Sequence, residues 1–215
     1  MSVQHHPSDE TLISYAAGTL EAGPAVVTES HLSDCASCRA RLAAFRAAGG
    51  ALLDDLPPTA LSAEALALAE IRLDEPPPAP PQRRTPRRQP KSIDLPPSLQ
   101  AYEFGRWLWQ GPGVWSCRVI VPGQPKATAR LLHLAPNTKI PEHGHTGREF
   151  TMVLSGSFSD GRSQYRPGDF SEADSEVDHQ PIVDADSICV CIIAMEGQMR
   201  LHGLLGRLLQ PLTGL

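Results

Sequence analysis

The sequence predicts an α+β protein of two domains, a small four-helix domain followed by an all-β barrel. Three observations support this division. Apolar residues recur with helical spacing in residues 1–75, and proline and arginine dominate residues 76–97. From residue 98 onward, short apolar runs alternate with turns that contain glycine or proline, as in a barrel or sandwich. We therefore predict domains at residues 1–75 and 98–215, joined by a linker at 76–97.

The net charge of −5 is distributed unevenly along the 215 residues. Residues 1–75 carry four arginines, no lysine and eleven acidic residues. Such a domain would repel nucleic-acid phosphates and is suited to a basic protein partner; alternatively, its acidic residues serve only solubility. The sequence lacks a run of 18 apolar residues and a secretory signal, so we expect a cytoplasmic protein without membrane contact. In that reducing compartment, five cysteines with close pairs indicate metal or redox chemistry rather than disulfides.

Four helices are predicted in the first domain. Ser8 caps a helix over 8–20, which Gly18 and the Gly23-Pro24 pair close. A second helix covers 25–35. A third, capped by Ser37, runs from Cys38 to Ala48 and ends at the Gly49-Gly50 pair, and a fourth opens at Ser62 and Glu64. Their apolar positions are Leu12, Ile13, Tyr15, Ala16, Val26, Val27, Leu32, Leu42, Phe45, Leu66, Leu68, Ile71 and Leu73.

The second half of the chain is predicted to be β-rich. Nine prolines in residues 76–97 exclude a helix there and indicate an extended tether, whose basic side chains are solvated or, alternatively, touch nucleic acid. The predicted strands after it are Val114–Val121, Ala127–Ala135, Glu149–Leu154 and Ser187–Met195. A short helix is expected around Leu204–Leu209.

The first candidate site lies in the run His-Leu-Ser-Asp-Cys-Ala-Ser-Cys. His31 and Cys35 are one helical turn apart, and Cys38 follows near the start of the next helix, where we expect a lowered thiol pKa. A structural zinc site requires four nitrogen or sulfur ligands. The fourth is expected from the His5-His6 pair, and we choose His6, which lies just before the first helix. Zinc would also stabilise a domain whose predicted core is thin.

The second candidate site combines three histidines with a glutamate. His143 and His145 are two residues apart, so in a strand they point the same way, and Glu149 follows after a turn. Two imidazoles and one carboxylate on one concave face suit a divalent metal. A Tyr-Arg-Pro-Gly-Asp-Phe turn and then His179 come later in the chain.

These two motifs resemble two known families. The HxxxCxxC run after an N-terminal helix is similar to the zinc-binding anti-sigma factors, over residues 5–75. The HxHxxxE run, with Gly156, the Pro-Gly-Asp turn and His179, is similar to the cupins, over about residues 100–200. The cupin resemblance implies a barrel of the double-stranded β-helix type. It also implies four metal ligands, which are His143, His145, Glu149 and His179.

The fusion of both motifs resembles the ChrR-like anti-sigma factors, as do the opening His-His-x-Ser-Asp and the stretch Tyr15–Leu20. This resemblance implies inhibition of an extracytoplasmic-function (group IV) sigma factor in a 1:1 complex, without direct nucleic-acid binding. It implies release on oxidative stress, from singlet oxygen or organic hydroperoxide, with the cupin as sensor and a protease as a further partner. We expect no catalytic residues, zinc in the first site, and zinc, manganese or iron in the cupin. The alternatives are a metal-dependent cupin dioxygenase and a cupin that binds a small molecule.

The remaining histidines and cysteines are predicted to lie outside both sites. His133 and His202 do not fit either motif and are expected to be ordinary strand or surface residues. We expect Cys189 and Cys191 to face opposite ways on their strand, so that they cannot bind one ion together. The inward one would be a small core residue, like Cys117, or alternatively a redox-active thiol.

Overall fold

The first part of the chain forms four helices. The computed structural model describes residues 3–73, 75–76, 93 and 95–201. The helices are α1 (Asp9–Ala16), α2 (Ala22–Asp34), α3 (Ala36–Asp54) and α4 (Ala65–Leu73). Ser8 caps α1 as predicted, because its hydroxyl accepts a hydrogen bond from the Thr11 amide at 3.2 Å.

Three predicted helix boundaries are wrong. Gly23 and Pro24 do not close α1 but lie in the first turn of α2, where proline is tolerated because its missing amide would have no helical partner. The cap of α3 is Cys35 rather than Ser37, since the Cys35 side chain accepts from the Cys38 amide. The helix then continues through Gly49-Gly50 to Asp54, because the glycines cost helix stability without forbidding the conformation.

The second part forms an antiparallel barrel of eleven strands among the described residues. A six-stranded sheet in the order β1-β2-β3-β10-β5-β8 faces a three-stranded sheet in the order β7-β6-β9, and β4 pairs with β11. The strands are β1 (Glu103–Gly111), β2 (Val114–Ile120), β3 (Arg130–Leu134), β4 (His143–His145), β5 (Glu149–Ser155), β6 (Phe158–Ser159), β7 (Gln164–Tyr165), β8 (Phe170–Ala173), β9 (Ile182–Val183), β10 (Cys189–Met195) and β11 (Met199–Leu201). The predicted α+β fold class, helices followed by a cupin-like β domain, is thereby confirmed.

The central strand β10 of the six-stranded sheet is buried on both faces. Along β10, Cys189, Cys191 and Ile193 point into the barrel, whereas Val190, Ile192 and Ala194 point outward. The outward side is covered by α2, whose Val26 and Val27 join the same buried cluster. A strand that is covered on both sides reads as a continuous apolar run, which is the pattern of residues 189–195.

The helical domain has a small core of its own, and α4 is not part of it. Leu12, Leu32 and Leu42 pack with Cys35 and Cys38 between α1, α2 and α3. No residue of α4 is buried. The predicted short helix at 204–209 lies outside the described residues.

Candidate metal sites

The first cluster forms where three chain segments meet. His6 precedes α1, His31 lies in the last turn of α2, and Cys35 and Cys38 lie at the start of α3. One potential ligand atom from each of these four residues lies within 4.8 Å of the others. His5 is placed elsewhere, since its ring packs on the ring of Tyr165 at 4.7 Å. The structure thus brings together the four residues that the sequence pattern selected.

The distances between ligand atoms in this cluster fit tetrahedral coordination of one metal ion. The Cys38 sulfur lies 3.3 Å from Nε2 of His31 and 3.4 Å from Nδ1 of His6, and the Cys35 sulfur lies 3.5 Å from the same His6 nitrogen. A tetrahedral zinc with ordinary bond lengths separates its nitrogen and sulfur ligands by about 3.5 Å. Two thiols and two imidazoles are also the donor set that structural zinc prefers.

The surroundings favour the metal-binding protonation state of the His31 imidazole but not that of the Cys38 thiol. Nδ1 of His31 lies 2.9 Å from the carbonyl oxygen of Gly168, which leaves the Nε2 lone pair for the cluster. Burial lowers the pKa of His31 to about 4, so the ring is neutral. Burial and the adjacent Cys35 raise the pKa of Cys38 to about 11, which corrects the expected lowering by the helix N-terminus. Here desolvation outweighs the guanidinium of Arg41, which lowers the pKa.

The second cluster lies inside the barrel. His143 and His145 are on β4, Glu149 begins β5, and His179 pairs with His143 through two backbone hydrogen bonds of 3.0 and 3.1 Å. Nε2 of His179 lies 3.1 Å from Nε2 of His143 and 3.3 Å from Nε2 of His145. The carboxylate oxygens of Glu149 are 3.7 to 3.9 Å from these nitrogens.

The donor chemistry of the barrel cluster fits a divalent cation. Three imidazole nitrogens converge at short range, and the histidines are at most 5% exposed. Burial opposes ionisation of Glu149, but His143, followed by the other two histidines, lowers its pKa to about 2. The Thr151 hydroxyl donates to the same carboxylate at 3.3 Å. The result is one negative charge facing three nitrogen donors in a buried space, which suits zinc, manganese or iron.

The N-terminal segment links the first cluster to a turn of the barrel. The amides of Gln4 and His5 donate to the Asp169 carboxylate at 2.7 and 3.1 Å, and the Phe170 amide donates to the His5 carbonyl at 3.0 Å. Asp169 belongs to the Pro-Gly-Asp turn of the barrel, whose Gly168 carbonyl contacts His31. One barrel turn therefore holds both the segment that carries His6 and the ring of His31.

Three further cysteines and His133 are core or strand residues. His133 lies on β3 and packs against the rings of Trp107 and Trp115, and His202 lies outside the described residues. Cys117 is buried in the cluster that includes Val26 and Val27 of α2, as predicted. The expectation that Cys189 and Cys191 face opposite ways is wrong. Residues two apart share a face of a strand, and both point into the barrel.

The fold and its two clusters define a class of protein in which a cupin barrel follows a helical domain with a cluster of histidines and cysteines. Residues 100–199 match the ChrR cupin-like domain family. The chain is 38% identical over 213 residues to the anti-sigma-E factor ChrR of Cereibacter sphaeroides, across 98% of each protein. It also resembles a chain in the crystal structure of Rhodobacter sphaeroides SigE in complex with the anti-sigma ChrR. That match has a TM-score of 0.73 and 37% identity over 91% of this chain and 100% of the other.

This protein therefore belongs to the ChrR family of anti-sigma factors. Among the described residues, none of the helices has the length and apolar character needed to cross a membrane.

Proposed function

We propose that this chain binds and inhibits an extracytoplasmic-function sigma factor in a 1:1 complex. The observation that carries the proposal is the 38% identity to an anti-sigma factor across 98% of both chains. The likeness to ChrR in complex with SigE supports the same partner class. Because the alignment spans the whole chain, it includes the helical domain as well as the barrel.

An exposed apolar surface supports a protein partner at the end of the helical domain. This 52–73 surface comprises the end of α3, the connection after it and α4. Leu66 and Ile71 on α4 are 70% and 60% exposed. Groups of large exposed apolar side chains commonly mark protein interaction sites. The other exposed members of the surface are Leu52, Leu53, Leu56, Leu61, Leu68 and Leu73.

Loss of this surface should weaken the complex. A Leu66→Ser, Ile71→Ser double variant should bind the sigma factor at least about tenfold more weakly, because buried apolar contacts in an interface are removed. The control is Leu108→Ser, which changes a leucine on β1 of the barrel that is 54% exposed. Titration calorimetry with the purified sigma factor measures both. Parent-like binding by the double variant would contradict the assignment of the 52–73 surface, and a parent chain that binds no such sigma factor would contradict the function.

We further propose that the two clusters hold metals with different roles. His6, His31, Cys35 and Cys38 would hold zinc that stabilises the helical domain, since small domains commonly need such support. His143, His145, Glu149 and His179 would hold a second divalent ion, zinc or manganese, with iron also accepted by the donors. The supporting observation is the convergence of each set on one point.

The barrel would act as the sensor of oxidative stress, of singlet oxygen or an organic hydroperoxide. A change at its metal site would loosen the contacts of the Pro-Gly-Asp turn with the N-terminal segment, and a protease would then reach the released helices. This role requires no catalytic turnover. Oxygen consumption by the iron-loaded protein with a small organic substrate would instead support the dioxygenase alternative.

A further inference from the structure

One histidine of the barrel cluster has a carboxylate behind it. The Nε2 atom of His179 faces the barrel cluster, while its Nδ1 atom is buried and has no hydrogen-bond partner among the described residues. An imidazole that binds a cation through Nε2 carries its proton on Nδ1. Oδ2 of Asp160 lies 3.9 Å from that nitrogen. The separation is about 1 Å longer than an N–H···O hydrogen bond, so the present contact is electrostatic.

Asp160 is itself fixed by its turn between β6 and β7. Its side chain has no exposed surface. Oδ1 accepts hydrogen bonds from the amides of Arg162 and Ser163, both at 3.0 Å, and Oδ2 accepts from the Arg162 guanidinium. The Tyr165 hydroxyl lies 3.5 Å from the same Oδ2. Burial opposes ionisation, yet His179 and these donors hold the pKa of Asp160 well below its usual range.

The other two histidines have different surroundings at Nδ1. Nδ1 of His143 lies 2.8 Å from the carbonyl oxygen of Pro141, whereas Nδ1 of His145 has no hydrogen-bond partner among the described residues. A carboxylate at this position fixes the tautomer of a metal-bound imidazole and increases its basicity. We infer that Asp160 is a positioning residue of the barrel metal site, which acts through Nδ1 of His179. The inference rests on the proposal that the barrel holds a metal.

The test uses the full-length protein with zinc in both sites. Asp160→Asn keeps a side-chain oxygen for the two turn amides but removes the charge that faces His179. We expect it to lose about 10-fold to 100-fold in zinc affinity at the barrel site, as measured by chelator competition. The N-terminal zinc should be retained. Nitrogen NMR shifts of the His179 ring should change, and Asp160→Glu should recover part of the affinity.

Two further variants separate positioning from folding. Asp184→Asn removes another loop carboxylate, which accepts from Ser157 and Gln164 and should leave zinc affinity unchanged. Asp160→Ser keeps a hydroxyl that can accept a hydrogen bond from the turn amides, and it replaces the Asn variant if that variant does not fold. Unchanged zinc affinity in a folded Asp160 variant, or equal losses in the Asp160 and Asp184 variants, would overturn the role of Asp160. Either result would leave the barrel metal site itself in place. A parent protein that binds only one zinc would overturn both this role and the barrel metal site.

Discussion

At the residue scale, the contact between His31 and Gly168 connects a candidate metal site of the helical domain to the barrel. His31 belongs to the helical cluster, but the acceptor for its Nδ1 proton comes from the barrel. Such outer hydrogen bonds orient metal-binding imidazoles. The spacing of His31, Cys35 and Cys38 predicts a common site because the pattern is local. The partners Gly168 and Asp160 could not be predicted, because no local pattern relates them to residues far away in the chain.

The two adjacent histidines near the N-terminus provide a matched test of the first cluster. His6→Ala should weaken zinc binding at this site by about tenfold or more and lower the melting temperature of the helices, because a ligand is lost. His5→Ala should retain the zinc, since the His5 ring contacts Tyr165 instead. Zinc content by mass spectrometry and chelator competition measure both variants. The opposite ranking would show that His5 is the ligand.

At the element scale, α2 is the helix that joins the domains. Val26 and Val27 are buried with barrel residues, while His31 and Leu32 belong to the helical core. The sequence predicts β5 and β10 well because double-sided burial produces long apolar runs. The nine-residue strand β1 was not predicted, because its sequence has no clear alternation of apolar and polar residues. Two of its adjacent apolar residues, Leu108 and Trp109, are both exposed.

A pair of helical glycines tests how closely α2 packs on the barrel. A methyl group on Gly23 would lie 2.7 Å from the Thr128 hydroxyl and 3.1 Å from its amide nitrogen, whereas one on Gly49 would meet nothing within 4 Å. Gly49→Ala should therefore raise the free energy of unfolding by about 0.5–1 kcal/mol, the usual gain of alanine over glycine in a helix. Gly23→Ala should lower it by about 1–3 kcal/mol through overpacking. Denaturant titration measures both, and equal effects would contradict this packing.

At the scale of the whole molecule, the predicted division at residues 1–75, 76–97 and 98–215 stays a prediction. Leu95 lies within the predicted linker, but it is buried with Leu99 and the outer face of the barrel. Sequence composition marks the proline-rich segment, whereas packing of one domain on another depends on surface complementarity that composition does not encode.

A fragment of residues 1–75 tests whether inhibition resides in the helical domain. It keeps the four-residue cluster and the 52–73 surface, but exposes Val26 and Val27 and loses the Gly168 contact. We expect it to bind zinc, to be less stable than in the full chain, and to inhibit the sigma factor in a transcription assay. Its affinity should fall with rising salt, because the fragment is strongly acidic. A zinc-loaded, folded fragment without inhibitory activity would show that the barrel takes part in binding.

The central claim, that the helical domain inhibits while the barrel metal site senses, is tested most directly by a reporter assay in cells. A strain carrying His143→Ala together with Glu149→Ala should keep sigma-dependent transcription low, because the helical domain is unchanged. On exposure to singlet oxygen or an organic hydroperoxide, the parent strain should activate the reporter and the double variant should respond weakly or not at all. A normal response in the double variant, with the sigma factor still inhibited before the oxidant is added, would contradict the claim.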